Sequence, residues 1–141
     1  MTSELLPFTE EHIDLIELRE GQDISDYRDR ISVFVTMGLA YTLVVDGKIV
    51  CCSGIVSPHK GVAEAWLIAG KGFEEHGMTI GRTIKRFLDW TQPFYHRYQM
   101  SVKVGFDEAA DFAVFLGFER EGIMKKFDSA GNDYYLYARI K

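Results

Sequence analysis

The sequence predicts an α/β (α+β) domain built on a mixed, mostly antiparallel central sheet with helices on both faces. Three observations predict it. Two β-rich runs flank Asp46-Gly47, the residue pair of a type I′ hairpin turn. An amphipathic helical pattern over 79–90 stands between two further strand-like runs, and a crossover helix joins parallel neighbours. The chain has 141 residues with 47% hydrophobic and 13% aromatic content. That suits one domain, residues 1–141, burying roughly two-thirds of its unfolded surface.

The elements follow in order. Leu5–Phe8 reads as a strand. Thr9 can cap a helix over Glu10–Leu18, with Ile13, Ile16 and Leu15 inward. Ser25 can cap a second helix over Asp26–Met37. Tyr27, Ile31, Phe34 and Val35 fall on one face of it, and Gly38 ends it as a left-handed C′ residue. Tyr41–Val45 and Lys48–Val56 form the hairpin. Val62–Ala69 is the next strand, after a turn over Pro58–Gly61. A glycine-rich loop holds Gly70, Gly72 and Gly77. In the helix Thr79–Trp90, Ile80, Ile84, Phe87 and Leu88 make the apolar stripe. Gln99–Val104 is a strand, and Asp107 caps a helix running through Leu116 to Gly117. Phe118–Phe127 and Tyr134–Ile140 close the chain as a hairpin around Asp128–Asn132. The order is β-α-α-β-β-β-α-β-α-β-β.

The net charge of −5 is uneven. Residues 1–70 hold 11 acidic and 5 basic side chains; residues 71–141 hold 10 and 11. So acidic a chain is a poor non-specific nucleic-acid binder, which needs dense Lys and Arg. A small polyanion has a place near Lys71, Arg82, Lys85 and Arg86. Cys51 and Cys52 are adjacent, and on a strand they point to opposite faces, which prevents a mutual disulfide. A reducing compartment, the cytoplasm, is expected. No leader pattern is visible, no apolar run approaches the length of a membrane span, and no Cys/His spacing suggests a metal site.

Two segments carry a family resemblance. Ala109-x3-Ala113-x3-Gly117-Phe118-x3-Gly122 resembles the second cofactor-side motif of the GNAT superfamily of N-acetyltransferases. The stretch GKGFEEHGMTIGRTIKRFL, residues 70–88, occupies the place of that superfamily's pyrophosphate loop. Most of the chain is also similar to short GNAT-like proteins of tailed bacteriophages, some called internal virion proteins. The shared features are LLPFTEEHI, YTLVVDGKIVCCSGIV, GVAEAWLI, LGFEREG and YYLYARI.

The resemblance implies a GNAT-type fold and acetyl-CoA as cofactor. It places a pyrophosphate at the start of the helix, on the amides of Gly77, Met78, Thr79, Ile80 and Gly81 with Arg82 adding charge. A helix N-terminus offers unpaired N–H groups and partial positive charge, which suits an anion. Main-chain groups of Leu67 and Ile68 would pair with the pantetheine arm, and Phe115 would lie beside the cofactor. Glu64 would be the general base, since an amine must lose its proton before it attacks. Each feature also has a plain structural reading. Gly117 ends a helix by its own freedom, Glu64 can face solvent, and Arg82 can belong to a solvated helix face.

The chain also departs from the family pattern. The loop expects a basic or amide residue where Glu74 stands, and a small residue where Thr79 stands. Two carboxylates, Glu74 and Glu75, would repel a pyrophosphate. The family's proton-donating tyrosine is replaced by Ala113, with Tyr134, Tyr135 or Tyr137 as substitutes. Two functions are therefore expected. One is acetyl transfer to an amine of unknown identity. The other is a non-catalytic phage accessory or virion-assembly role with a phage protein partner, in host cytoplasm or virion. A homodimer through strand edges or the aromatic last strand is a further expectation.

Overall fold

The computed structural model describes residues 2–141, apart from the side chains of Asp26 and Tyr27. The expected inward placement of Tyr27 lies outside the described residues. Seven strands follow the hydrogen-bonded order β1-β2-β3-β4-β5-β7-β6. They are β1 (Ser3–Pro7), β2 (Gly38–Val45), β3 (Lys48–His59), β4 (Val62–Ala69), β5 (Arg97–Lys103), β6 (Glu119–Met124) and β7 (Tyr134–Ile140). The helices are α1 (Glu10–Leu15), α2 (Ser25–Arg28), α3 (Ile31–Met37), α4 (Gly77–Thr91) and α5 (Asp107–Phe115). The chain divides into two compact units, Met1–Ser57 with Ala65–Gly77, and Pro58–Glu64 with Met78–Lys141. Both β4 and α4 run through a unit boundary.

In the first unit, β2 pairs antiparallel with β1 and with β3. Asp46 and Gly47 have φ of 50° and 80°, the paired left-handed values a type I′ turn requires. The core gathers Phe8, Ile13, Ile16, Ile24, Ile31, Phe34, Cys52, Val56, Trp66 and Ile68. Trp66 is its centre. Phe34 stacks on the indole at 4.5 Å, and Phe8 meets it edge-on at 5.2 Å.

Several boundaries in this unit differ from expectation, each for a local reason. Phe8 lies past the end of β1 and packs in the core. Helix α1 stops at Leu15 because Glu17–Arg19 gives its backbone to the end of β4. Leu18 bridges Gly70, Arg19 N–H donates to Ala69 O, and Lys71 N–H donates to Glu17 O. Leu15 is consequently exposed. The single helix over 26–37 is two helices, α2 and α3, divided at Asp29-Arg30. Asp23, and not Ser25, supplies the cap: its carboxylate accepts from the Ser25 N–H and hydroxyl. Ile31 and Phe34 are buried, while Val35 is 39% exposed. Gly38 is not left-handed. Its φ is −130° and it begins β2, so the helix ends by running straight into a strand. Glycine is needed there because a Cβ would strike the carbonyl oxygen of Ile55. Strand β3 runs through Pro58 to His59, which leaves a turn of only Lys60-Gly61 before β4.

In the second unit, β4 pairs in parallel with β5 over Val62–Glu64 against Arg97–Gln99. Helix α4 supplies the crossover. Strand β7 pairs antiparallel with both β5 and β6, so the aromatic last strand is internal and the sheet edges are β1 and β6. Strand β5 begins at Arg97, two residues before its expected start. Asp107 is the first helical residue of α5 rather than its cap, which is Phe106. The close of α5 is a Schellman motif. Gly117 has φ of 96°, its N–H donates to Val114 O, and Phe118 N–H donates to Ala113 O. Phe118 and Ala113 are both buried.

Replacing Trp66 with Ala removes the partner of two rings. We expect Trp66→Ala to lose about 3–5 kcal/mol in urea unfolding, the usual range for a buried aromatic. Gly117→Ala forces a Cβ into the left-handed region, and about 1–2 kcal/mol should be lost in the same assay.

Candidate active site

The second unit holds a row of polar side chains beside Glu64. Glu64 is half-buried at the last position of the β4–β5 ladder, with Gln99 as its Cα partner. Gln99 Oε1 accepts a hydrogen bond from Arg97 Nε at 2.9 Å. Arg97 forks onto Glu121, with Nη1 at 3.0 Å from Oε2 and Nη2 at 2.6 Å from Oε1. This hydrogen-bonded pairing holds the Glu121 carboxyl below and the Arg97 guanidinium above their ordinary values. Residues 97 and 99 face away from α4. The intervening Tyr98 is fully buried and hydrogen-bonds Thr91 of α4, and Arg139 on the same face pairs with Asp89 of α4.

The glycine-rich segment is more helical than its composition suggests. Phe73 has helical angles, Glu74–His76 forms a 3₁₀ turn, and α4 begins directly at Gly77. Gly77 has φ of −56°, and its N–H is already given to Glu74 O. Only Gly72 of the three loop glycines is left-handed. With Gly77 as the first helical residue, Met78 and Thr79 supply the remaining leading N–H groups, and that of Ile80 is the first to donate back within the helix. Gly81 is the fifth residue, past that set. The first turn of α4 carries no acid; Glu74 and Glu75 sit on the preceding turn, exposed. Arg82, Lys85 and Arg86 are exposed on α4.

Gly81 and Phe115 are brought together. A Cβ at Gly81 would lie 2.8 Å from the Phe115 ring, so glycine lets α5 approach α4. Lys85 Nζ lies over that ring, 5.7 Å from its centre. In the first unit, Leu67 is half-buried and Ile68 is fully buried in the Trp66 cluster.

Ala113, at the position where the resemblance expects a tyrosine, is fully buried. Of the substitutes, Tyr137 is buried, Tyr135 lies under the Arg120 guanidinium at 4.4 Å, and Tyr134 packs on Phe127. Sequence reasoning singled out Glu64 but not Gln99, Arg97 or Glu121. The available signal was the alternation Arg97-x-Gln99, which puts two polar side chains on one face of a strand parallel to that of Glu64.

No family model matches the chain, and no curated protein sequence matches it. Solved structures do. An acetyltransferase of the GNAT family from Streptococcus pneumoniae aligns with a TM-score of 0.74 at 14% identity, over 99% of both chains. The chain has the GNAT fold. A GNAT family acetyltransferase from Elizabethkingia anophelis, solved with acetyl-CoA bound, aligns at TM-score 0.73 and 18% identity, over 99% of this chain and 98% of that one. The ribosomal-protein-S18-alanine N-acetyltransferase of Escherichia coli aligns at 0.73 and 13%, over 99% and 94%. On this GNAT fold the polar row of Glu64, Gln99, Arg97 and Glu121 lies on β4, β5 and β6.

Cys51 and Cys52 on β3 are both buried and free. Burial pushes Cys51 up to about 12, helped by Cys52, and pushes Cys52 up to about 11. A thiol raised in the folded state keeps its proton there after the unfolded chain has lost it. Its stabilising share is whole below pH 9 and fades as pH rises from 9 toward 11–12. Each thiol then costs about 1.4 kcal/mol per pH unit. Urea midpoints of the wild type should fall more steeply between pH 8 and about 10.5 than those of Cys51→Ala/Cys52→Ala.

Proposed function

We propose that this chain is an acetyl-CoA-dependent N-acetyltransferase acting on an amine. The observation that carries the reading is Glu64, a half-buried carboxylate at the last pair of a three-residue parallel ladder on a GNAT fold. The residues present fit the cofactor at the helix end. The first turn of α4 presents the N–H groups of Met78 and Thr79, carries no acid, and has Arg82 close behind them. Gly77 serves as the entry of the turn rather than as a donor. Within the second unit, Phe115 packs against Gly81 of α4.

Acetyl-CoA, when bound, supplies a thioester carbonyl. Glu64 takes a proton from the acceptor ammonium, directly or through water. The freed amine nitrogen would attack that carbonyl carbon; as the C–N bond forms and the C–S bond breaks, the nitrogen gives up its remaining extra proton to solvent or to the departing sulfur. The sulfur leaves with the electron pair as a thiolate. A thiol of ordinary pKa, about 8.5, leaves near neutrality without an enzymatic proton donor. Ala113 therefore does not stop turnover.

A second reading is favoured by two observations: the buried Ala113 and the Gly77 N–H already engaged with Glu74. In it the chain is a non-catalytic phage accessory protein that keeps the fold and binds a phage protein.

Calorimetric titration with acetyl-CoA separates the two. The transferase reading expects micromolar affinity, weakened at least tenfold by Gly77→Glu. That variant tests charge and not packing, because a Cβ at Gly77 meets nothing within 4 Å. Glu64→Gln should keep the affinity and lower kcat by about 10²-fold or more. No heat and no thermal shift at millimolar acetyl-CoA would leave the accessory reading standing.

A further inference from the structure

The polar row beside Glu64 has a directionality that names an acceptor class, given the transferase reading above. Arg97 is a donor only, so the Gln99 oxygen must be the atom that meets it. Arg97 cannot swing away freely, because its other two nitrogens are forked onto Glu121. The amide of Gln99 is thereby fixed with Nε2 pointing away from Arg97. Among the described residues Nε2 has no protein acceptor. Gln99 and Glu64 are Cα partners on neighbouring strands, about 4.8 Å apart, and their side chains share a face. That face thus presents a carboxylate and, one strand away, an outward N–H donor.

An acceptor matching this pair carries a cationic nitrogen and, close by, a hydrogen-bond acceptor. A simple alkylamine has the first and lacks the second. An α-amino group next to a carbonyl has both. We propose that Gln99 is an acceptor-positioning residue, and that the acceptor is the α-amino group of an amino-acid amide or a peptide N-terminus. Its nitrogen lies at Glu64 and its carbonyl oxygen at Gln99 Nε2. Arg97 and Glu121 act through Gln99 by holding the amide in that sense.

The probes are alaninamide and propylamine, with acetyl-CoA as donor. The α-amino group, pKa about 7.7–8.0, also loses its proton more easily than an alkylamine, so a wild-type preference alone decides nothing. The variants decide. Gln99→Met is near in size and loses both polar atoms. Gln99→Glu keeps an oxygen for Arg97 and loses the donor, and the charge it adds acts on both amines alike. Each should raise KM for alaninamide about tenfold relative to that for propylamine, the scale of one lost hydrogen bond. In Gln99→Met, KM for propylamine and the affinity for acetyl-CoA should stay within about twofold. Equal changes on both amines, or no change in the alaninamide KM, would overturn the role of Gln99 and leave the transferase reading intact. A wild-type protein that binds acetyl-CoA and acetylates neither amine, nor any other offered, would overturn the transferase reading and this inference with it.

Discussion

Everything in the second unit depends on three parallel residue pairs. Parallel neighbours need a long crossover, and α4 is that crossover. The pairing fixes which β5 residues stand beside Glu64, and alternation along β5 then sorts its side chains. Tyr98 goes to the helix side, where its hydroxyl finds Thr91; Arg97 and Gln99 go to the other. A slip of one residue would exchange the two sets. The register is protected because Tyr98 is large, fully buried and hydrogen-bonded, and so has no acceptable place on the opposite face.

The same register explains why the ion pair of Arg97 matters less for stability than for orientation. The Arg97 side chain is about a quarter exposed and that of Glu121 is 40% exposed. Pairs so open to water contribute little to folding. Their geometry is nonetheless bidentate, which restricts the guanidinium plane far more than a single contact would. A restricted guanidinium dictates which end of the Gln99 amide it receives. The pair's value lies in that choice.

Much of this was legible in the sequence because it rests on local chemistry. Asp46-Gly47 announced its turn, and Gly117 its helix end, since both positions need positive φ. The stripe of α4 followed from helical spacing, and the parallel β4–α4–β5 unit followed from the stripe. What was not legible came from tertiary competition. Nothing near Leu15 says that α1 must stop; the reason is Gly70, fifty-five residues on, whose neighbours draw Glu17–Arg19 into a bridge. Gly38 and Gly77 looked like conformational glycines and are not. One yields space to Ile55, and the other is an ordinary helical residue. Composition marks a glycine but not which of its two freedoms is used. Within the site, Glu64 could be read from its strand, whereas Gln99 needed the strand pairing before its proximity had meaning.

Ala113 shows how one motif can serve structure and lose part of its chemistry. The Schellman closure needs Ala113 for its carbonyl and for a small apolar side chain that the buried position admits. Both demands are met with the side chain fully buried. A tyrosine there would have to thread its ring out of the same space before its hydroxyl could reach anything. The Gly117-Phe118 pair is therefore held in place by its main-chain hydrogen bonds and by packing, whatever happens to proton donation. Glu64 stands under a different constraint. A carboxylate costs more to bury than an apolar side chain of similar size, so burial alone does not select it there. Of the two family positions, the one whose residue packing explains has lost its proton-donating tyrosine, and the one packing does not explain still carries its carboxylate.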